Sequence, residues 1–173
     1  MLFRSDPELP NKLFSGKEHL IRRCVACNQG CLAGTFFDKP VRCLVNGLAG
    51  REYEISEAPA EKPKKILVVG GGPAGCETAI RAARRGHHVT IWEKNGSLGG
   101  QLRLTAALPA RSEFFGLIRY HENALKDAGV KVELGREASA DEILLSGFDE
   151  VVIATGRVHK PIKIRIKDNA PPV

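Results

Sequence analysis

The chain has 173 residues, 43% of them apolar, with 26 Lys and Arg against 20 Asp and Glu for a net charge of +6. That length suits one domain of ordinary size with a small appendage, not two large domains. The basic excess is interleaved with acidic residues and no RNA- or DNA-binding motif accompanies it, which argues against nucleic acid as a partner. No run approaches the roughly 18 apolar residues of a membrane span, and the N-terminus carries no apolar signal segment, so a cytoplasmic protein with no membrane partner is expected.

Residues 1–23 are polar and punctuated by Pro7, Pro10 and Gly16, with Asp6 placed to cap a short helix that has Pro7 at its first position. Such a stretch buries little by itself and is expected to dock on the segment that follows or to continue something upstream. Cys24, Cys27, Cys31 and Cys43 then give C-x2-C-x3-C-x11-C. This grouping fits a reducing compartment and a metal or cluster site better than a disulfide framework. A compact loop supplying three thiolates and a returning segment supplying the fourth can wrap a [4Fe–4S] cubane; a zinc site or unligated structural cysteines are the alternatives. Residues 54–65 shift to Pro, Ala and charge and read as a linker, dividing the chain into 1–53, 54–65 and 66–173.

From Lys65 an apolar strand breaks into Gly70-Gly71-Gly72-Pro73-Ala74-Gly75 and then into a helix from Pro73 to about Arg85, stopped by Gly86. Gly70, Gly72 and Gly75 stand in G-x-G-x-x-G spacing: the first turns the backbone, the second lets it approach a pyrophosphate, the third lets helix and strand pack closely. Cys76, Ala79, Ile80 and Ala83 share a helix face, so Cys76 reads as a core residue and not as a redox thiol. A second strand, His88 to Trp92, ends in Glu93, where a ribose-binding carboxylate belongs. The turn Gly99-Gly100-Gln101 again allows a ligand close to the backbone. Ser112 is placed to cap a helix reaching about Ala128, with Phe114, Leu117, Ile118 and Leu125 on one face. Val130, Val132 and Leu134 alternate as a third strand, and Ser139 with Glu142 forms a capping-box pair before a helix through Leu145. A fourth strand, Glu150 to Ala154, runs into Thr155-Gly156, small residues that let a dinucleotide lie against the backbone. Ile162, Ile164 and Ile166 alternate with basic residues between Pro161 and Lys167 as a half-buried strand. The expected fold is α/β: a Rossmann-like doubly wound parallel sheet of the FAD/NAD(P)-binding type, preceded by a small cysteine-rich segment.

Taken together, the cysteine spacing, the glycine turn, Glu93, Gly99-Gly100-Gln101 and Ala154-Thr155-Gly156 resemble the 2,4-dienoyl-CoA reductase family, which includes trimethylamine dehydrogenase and related enoate reductases built on an old-yellow-enzyme barrel. The resemblance runs from about Asp6 to Pro161. Asp6-Pro7-Glu8-Leu9-Pro10-Asn11-Lys12 looks like the segment leaving the FMN barrel, and Cys27-Asn28-Gln29 with Cys43-Leu44-Val45-Asn46 looks like the cluster loop.

What the resemblance implies is an electron relay in which a nicotinamide cofactor reduces FAD, a [4Fe–4S] cluster passes electrons singly, and FMN in the barrel acts on substrate. By position the cluster ligands would be Cys24, Cys27, Cys31 and Cys43. FAD, or only its ADP moiety, would lie against Gly70, Gly72, Ala74, Gly75, Glu93, Gln101 and Arg111, with Ala138 at the adenine and Thr155 and Gly156 along the flavin side. Arg111 rests on the resemblance alone. The family's barrel before Asp6, a second glycine turn for NAD(P)H and the later strand of the FAD sheet are not seen in these 173 residues, and Gly47 stands where the family usually has proline. The expectation is the electron-transfer portion of a larger NAD(P)H-dependent oxidoreductase, either a fragment of it or a subunit whose FMN-barrel and NAD(P)H-binding parts are separate. The competing expectation is a non-enzymatic adenine-nucleotide-binding module with a structural zinc site.

Overall fold

In the computed structural model, which describes residues 2–157, the apolar runs form one sheet of four strands: β1 (Lys65–Val69), β2 (His88–Glu93), β3 (Lys131–Leu134) and β4 (Glu150–Ile153). Their order is β3-β2-β1-β4 and every pairing is parallel, with Val68 opposite Ile91 on one side and Val152 on the other. The chain steps outward from β1 through β2 to β3, then returns to add β4 at the far side of β1. The crevice beyond the carboxyl ends of β1 and β4 is therefore a topological switch point, where open α/β sheets bind ligands. The alternating run Pro161 to Lys167 lies outside the described residues.

The helices, in chain order, are α1 (Leu2–Ser5), α2 (Leu9–Phe14), α3 (Leu32–Phe36), α4 (Pro73–Arg84), α5 (Gln101–Ala106), α6 (Glu113–Asp127) and α7 (Ala140–Leu145), with a 3-10 turn at Glu18–Leu20. β1 is central and buried on both faces, which is why it reads as an unbroken apolar run. Ile66 and Val68 enter the larger core, packed with Cys76, Ala79 and Ile80 of α4 and with Phe114, Leu117, Ala124 and Leu125 of α6. Leu67 and Val69 point to the opposite face, where Trp92 joins them over Ala138, Ile143 and Phe148.

Three local expectations are revised. Asp6 caps no helix beginning at Pro7; α2 starts at Leu9 behind Glu8, with Pro10 in its first turn, and Asp6 turns inward. Its carboxylate accepts from the Glu8 and Arg22 backbone N–H groups and from Lys12 Nζ, and burial of so polar a group is tolerated only because of those donors. Ser112 does stand at the start of α6, but in helical backbone and without a capping hydrogen bond. As expected of a turn, Gly99 and Gly100, at φ +105° and +49°, lead the chain into α5. Ser139 caps α7 as expected by accepting from the Glu142 N–H, yet the Glu142 carboxylate reaches Arg136 Nη2 at 2.6 Å instead of returning to the cap.

The cysteine segment shares the main core. Val25 and Val45 are buried in the same cluster as α4 and α6, with Cys27 and Cys43 packed against it. Behind them Arg22, 8% exposed, ties four parts of the chain together. Its N–H donates to Asp6 Oδ2 at 2.7 Å, Nη1 to Asn46 Oδ1 at 3.0 Å, and Nη2 to Glu77 Oε1 at 3.2 Å and to Tyr120 Oη at 2.7 Å. Residues 2–23 thus dock on α4 and α6 as well as on the cysteine loop.

Candidate functional site

The glycine turn is fixed by what surrounds it. Gly70 has φ +111°, and a Cβ there would lie 2.4 Å from the Ala154 carbonyl oxygen. A Cβ on Gly75 would lie 1.9 Å from the Gly70 carbonyl oxygen, so glycine there lets α4 start directly against the end of β1. Gly71, outside the motif, is less constrained: its Cβ would meet Leu98 Cδ2 at 2.5 Å, the end of a side chain that can turn aside. Gly72 differs from all three. It has ordinary backbone, φ −73°, and a Cβ there would meet nothing within 4 Å. The protein itself has no steric need for glycine at 72; the space beside it is open.

That space belongs to a cavity of about 850 Å3 beyond the carboxyl ends of β1, β2 and β4. Its volume falls within the range of roughly 300–1,000 Å3 usual for small-ligand sites. Of the residues singled out from sequence, Gly70, Gly72, Ala74, Glu93, Gln101, Ala138, Thr155 and Gly156 all line it. Gly75 lies beneath the turn and Arg111 is exposed outside the cavity. Gly72 starts α4 with no side-chain cap and Pro73 at the first position, so the positive end of a 12-residue helix opens on the cavity. Such an end favours an anion such as a pyrophosphate.

Glu93, 5% exposed, is already engaged. Oε2 accepts from the Gly71 N–H at 2.6 Å, while Oε1 accepts from Asn95 N at 2.8 Å and Asn95 Nδ2 at 2.6 Å. The carboxylate therefore clamps the glycine turn to the end of β2, and Glu93 lines the cavity. Gln101 closes the other side, Nε2 donating to the Arg157 carbonyl at 2.9 Å. Sequence reasoning missed Trp92 and Arg136, which also line the cavity. Neither belongs to a motif: Trp92 reads as a strand residue, and Arg136 carries no signal of its own.

The residues present thus fit the ADP half of a dinucleotide: an uncapped helix end, an open flank at Gly72 and a buried carboxylate at the end of β2. None of the five cysteines lines the cavity, and the Cys76 thiol, buried and near the charges of Glu93 and Glu77, is pushed up to about 12 and donates to the Gly71 carbonyl at 3.3 Å.

The other four cysteines are half-buried. Left-handed backbone at Ala26 and Asn28 flanks Cys27, and the Ala26 N–H points at Cys24 Sγ, 3.4 Å away. Arg42 N donates to Gly30 O at 2.9 Å, and a Cβ on Gly30 would lie 2.9 Å from the Arg42 carbonyl, so the limbs carrying Cys31 and Cys43 touch through backbone. The thiols themselves are not drawn to a common centre: among the described residues no group of three or more His, Cys, Asp or Glu side chains is gathered to hold a metal ion.

Between loop and cavity lies Glu77 of α4. Burial opposes its charge, but His121, Arg22 and Arg81 outweigh burial and bring the carboxyl down to about 2. His121 Nε2 stands 3.8 Å from Glu77 Oε2, beyond hydrogen-bond range, while Arg22 and Arg81 both reach Oε1. No described helix is long and apolar enough to cross a membrane.

A sequence model of the pyridine nucleotide-disulphide oxidoreductase family matches residues 64–172. Over 156 residues the chain is 52% identical to a metal reductase of Desulforamulus reducens, covering 88% of this chain and 23% of that one. It is 44% identical over 167 residues to an NADH oxidase of Thermoanaerobacter brockii, covering 94% and 25%. A solved 2-naphthoyl-CoA reductase in complex with 2-naphthoyl-CoA superposes with a TM-score of 0.89 at 42% identity, over 97% of this chain and 26% of that one. The chain therefore spans about a quarter of the length of these relatives. The matches bear out the resemblance carried by the cysteine spacing and the glycine turn.

Proposed function

Because this chain belongs to the pyridine nucleotide-disulphide oxidoreductase family, we propose that it is the flavin-binding, electron-transferring portion of an NAD(P)H-dependent oxidoreductase, with FAD in the cavity above β1 and a [4Fe–4S] cluster on Cys24, Cys27, Cys31 and Cys43. FMN and NAD(P)H sites are assigned to parts of the enzyme beyond this chain. The division into residues 1–53 for the cluster, 54–65 as connection and 66–173 for the flavin belongs to the same reading.

The observation that carries it is Gly72. Its two motif partners are glycines because protein backbone crowds them, whereas Gly72 borders open space at the start of α4, which a pyrophosphate would fill. When bound, FAD supplies two-electron and one-electron chemistry. The chain's own residues do the holding: α4 presents its N–H groups to the phosphates, Glu93 faces the ribose while pinning the turn, and the backbone from Ala154 to Gly156 flanks the rest. The thiolate spacing and the family resemblance it carries support the cluster, and its assembly would be the event that gathers the four thiols.

Anaerobic purification with metal analysis and calorimetric titration tests both parts. About four iron and four sulfide per chain, and ADP and FAD binding well above FMN, are expected. One zinc and no iron would replace the cluster by a structural knuckle and leave a nucleotide-binding module. FMN binding as tight as FAD would overturn the adenosine-side assignment.

A further inference from the structure

The cavity has a planar cation on its wall that no motif announces. Arg136 follows β3, its N–H donates to the Glu93 carbonyl at 2.9 Å, and its guanidinium carbon sits 3.6 Å from the centroid of the Trp92 ring. Glu133 and Glu142 hold the guanidinium by its edge nitrogens, Glu142 at 2.6 Å from Nη2. Edge-on partners leave both flat faces for stacking. One face is taken by Trp92, which is itself braced by Phe148 in an edge-to-face contact at 6.0 Å. The Arg136 side chain is still 37% exposed, and it lines the same cavity as Glu93 and Ala138.

We propose that Arg136 is the adenine platform of this site, stacking the base of an adenine nucleotide on the guanidinium face turned away from Trp92. The inference deepens the nucleotide-binding reading and rests on it. A ribose held at Glu93 places its base beside the strand end that Arg136 extends, since the two residues are joined by a backbone hydrogen bond. A guanidinium suits this task because it is flat, weakly hydrated and attracted to aromatic faces, and here its orientation is fixed beforehand by two carboxylates and an indole. The carboxylates also neutralise its charge, so it acts as a plane and not as a phosphate clamp.

The test compares ADP with inorganic pyrophosphate in calorimetric titrations of the full 173-residue chain. Trp92 is the only tryptophan, so its emission reports the stack directly. Arg136→Lys keeps the charge without the plane, and Arg136→Ala removes both. Both variants should weaken ADP by roughly three- to thirtyfold and leave pyrophosphate within about twofold, and ADP should perturb Trp92 emission in the parent far more than in either variant. Overturning results are ADP affinity kept in Arg136→Lys and lost only with the charge, or ADP and pyrophosphate weakened equally. Unaltered ADP binding in both variants would overturn it as well, and a lowered melting temperature alone would assign Arg136 to packing. If the parent chain bound no ADP at all, the nucleotide-binding reading itself would fail, a result distinct from loss in the variants.

Discussion

The glycine turn and the cysteine loop, as proposed cofactor sites, differ in how far the polypeptide completes them. Around the turn, the fold places every element by its own contacts: β1 is buried on both faces, Glu93 holds the Gly71 N–H, and Gly70 and Gly75 fit because backbone oxygens leave no room for a side chain. In the loop, backbone brings Gly30 and Arg42 together, but among the described residues no three of the half-buried thiols gather as a metal site. A site made of main-chain donors comes with the secondary structure, whereas a site made of thiolates that repel one another is finished by the ion it binds.

Breaking the turn should have the largest effect. Gly75→Ala sets a Cβ against the Gly70 carbonyl, backbone against backbone, so relief requires moving α4 or β1. A loss on the order of 3 kcal/mol or more in urea unfolding is expected. Gly72→Ala is the matched control, because its Cβ meets nothing: stability should stay within about 0.5 kcal/mol while ADP binding falls. Equal destabilisation by the two substitutions would refute the distinction between a glycine required by packing and one required by a ligand.

The tether between the two regions gives the next effect. Glu77 is held down at about 2, below its usual 4.5, by His121, Arg22 and Arg81 against the pull of burial. A depressed carboxyl contributes stability that is present above about pH 4.5 and is lost as the pH falls toward 2. The loss should be on the order of 2–3 kcal/mol in acid titrations of the unfolding midpoint. Glu77→Gln should flatten that window. An unchanged acid profile in Glu77→Gln would show that the cysteine segment does not depend on this ion pair for docking.

The smallest effect on folding separates the two kinds of cysteine. Cys76→Ala removes a fully buried sulfur and should cost about 1 kcal/mol while leaving bound iron untouched. Cys43→Ala should change the unfolding of the metal-free chain by less than that, yet abolish or degrade the cluster in iron and sulfide analysis. The reverse pattern, iron lost with Cys76 and kept without Cys43, would move the ligand assignment.

Much of this was legible in residues 65–157 because parallel strands buried on both faces and helices with one apolar stripe carry strong local periodicity. The four strands, α4 and α6 lie where the apolar pattern puts them, within a residue or two at their ends, and α7 lies where the Ser139–Glu142 capping signal puts it. Eight residues chosen by motif and resemblance meet in one cavity because G-x-G-x-x-G spacing prescribes backbone geometry directly. Short helices such as α3 and α5 were not foreseen, since five or six residues are too few for a period to show.

What the sequence by itself determined is whatever a few neighbouring residues decide through backbone sterics and periodicity: the strand-turn-helix unit, the place of Glu93, the grouping of thiols. Only the tertiary structure decided which partners distant polar groups would find. Arg22 meets Asn46, Glu77 and Tyr120, and Arg136 lies over Trp92 between two glutamates. Those pairings join residues up to 98 positions apart in the chain, and long, flexible side chains leave no local imprint of where they will end. Their placement follows from packing of the sheet and its helices, which exists only once the whole fold has formed.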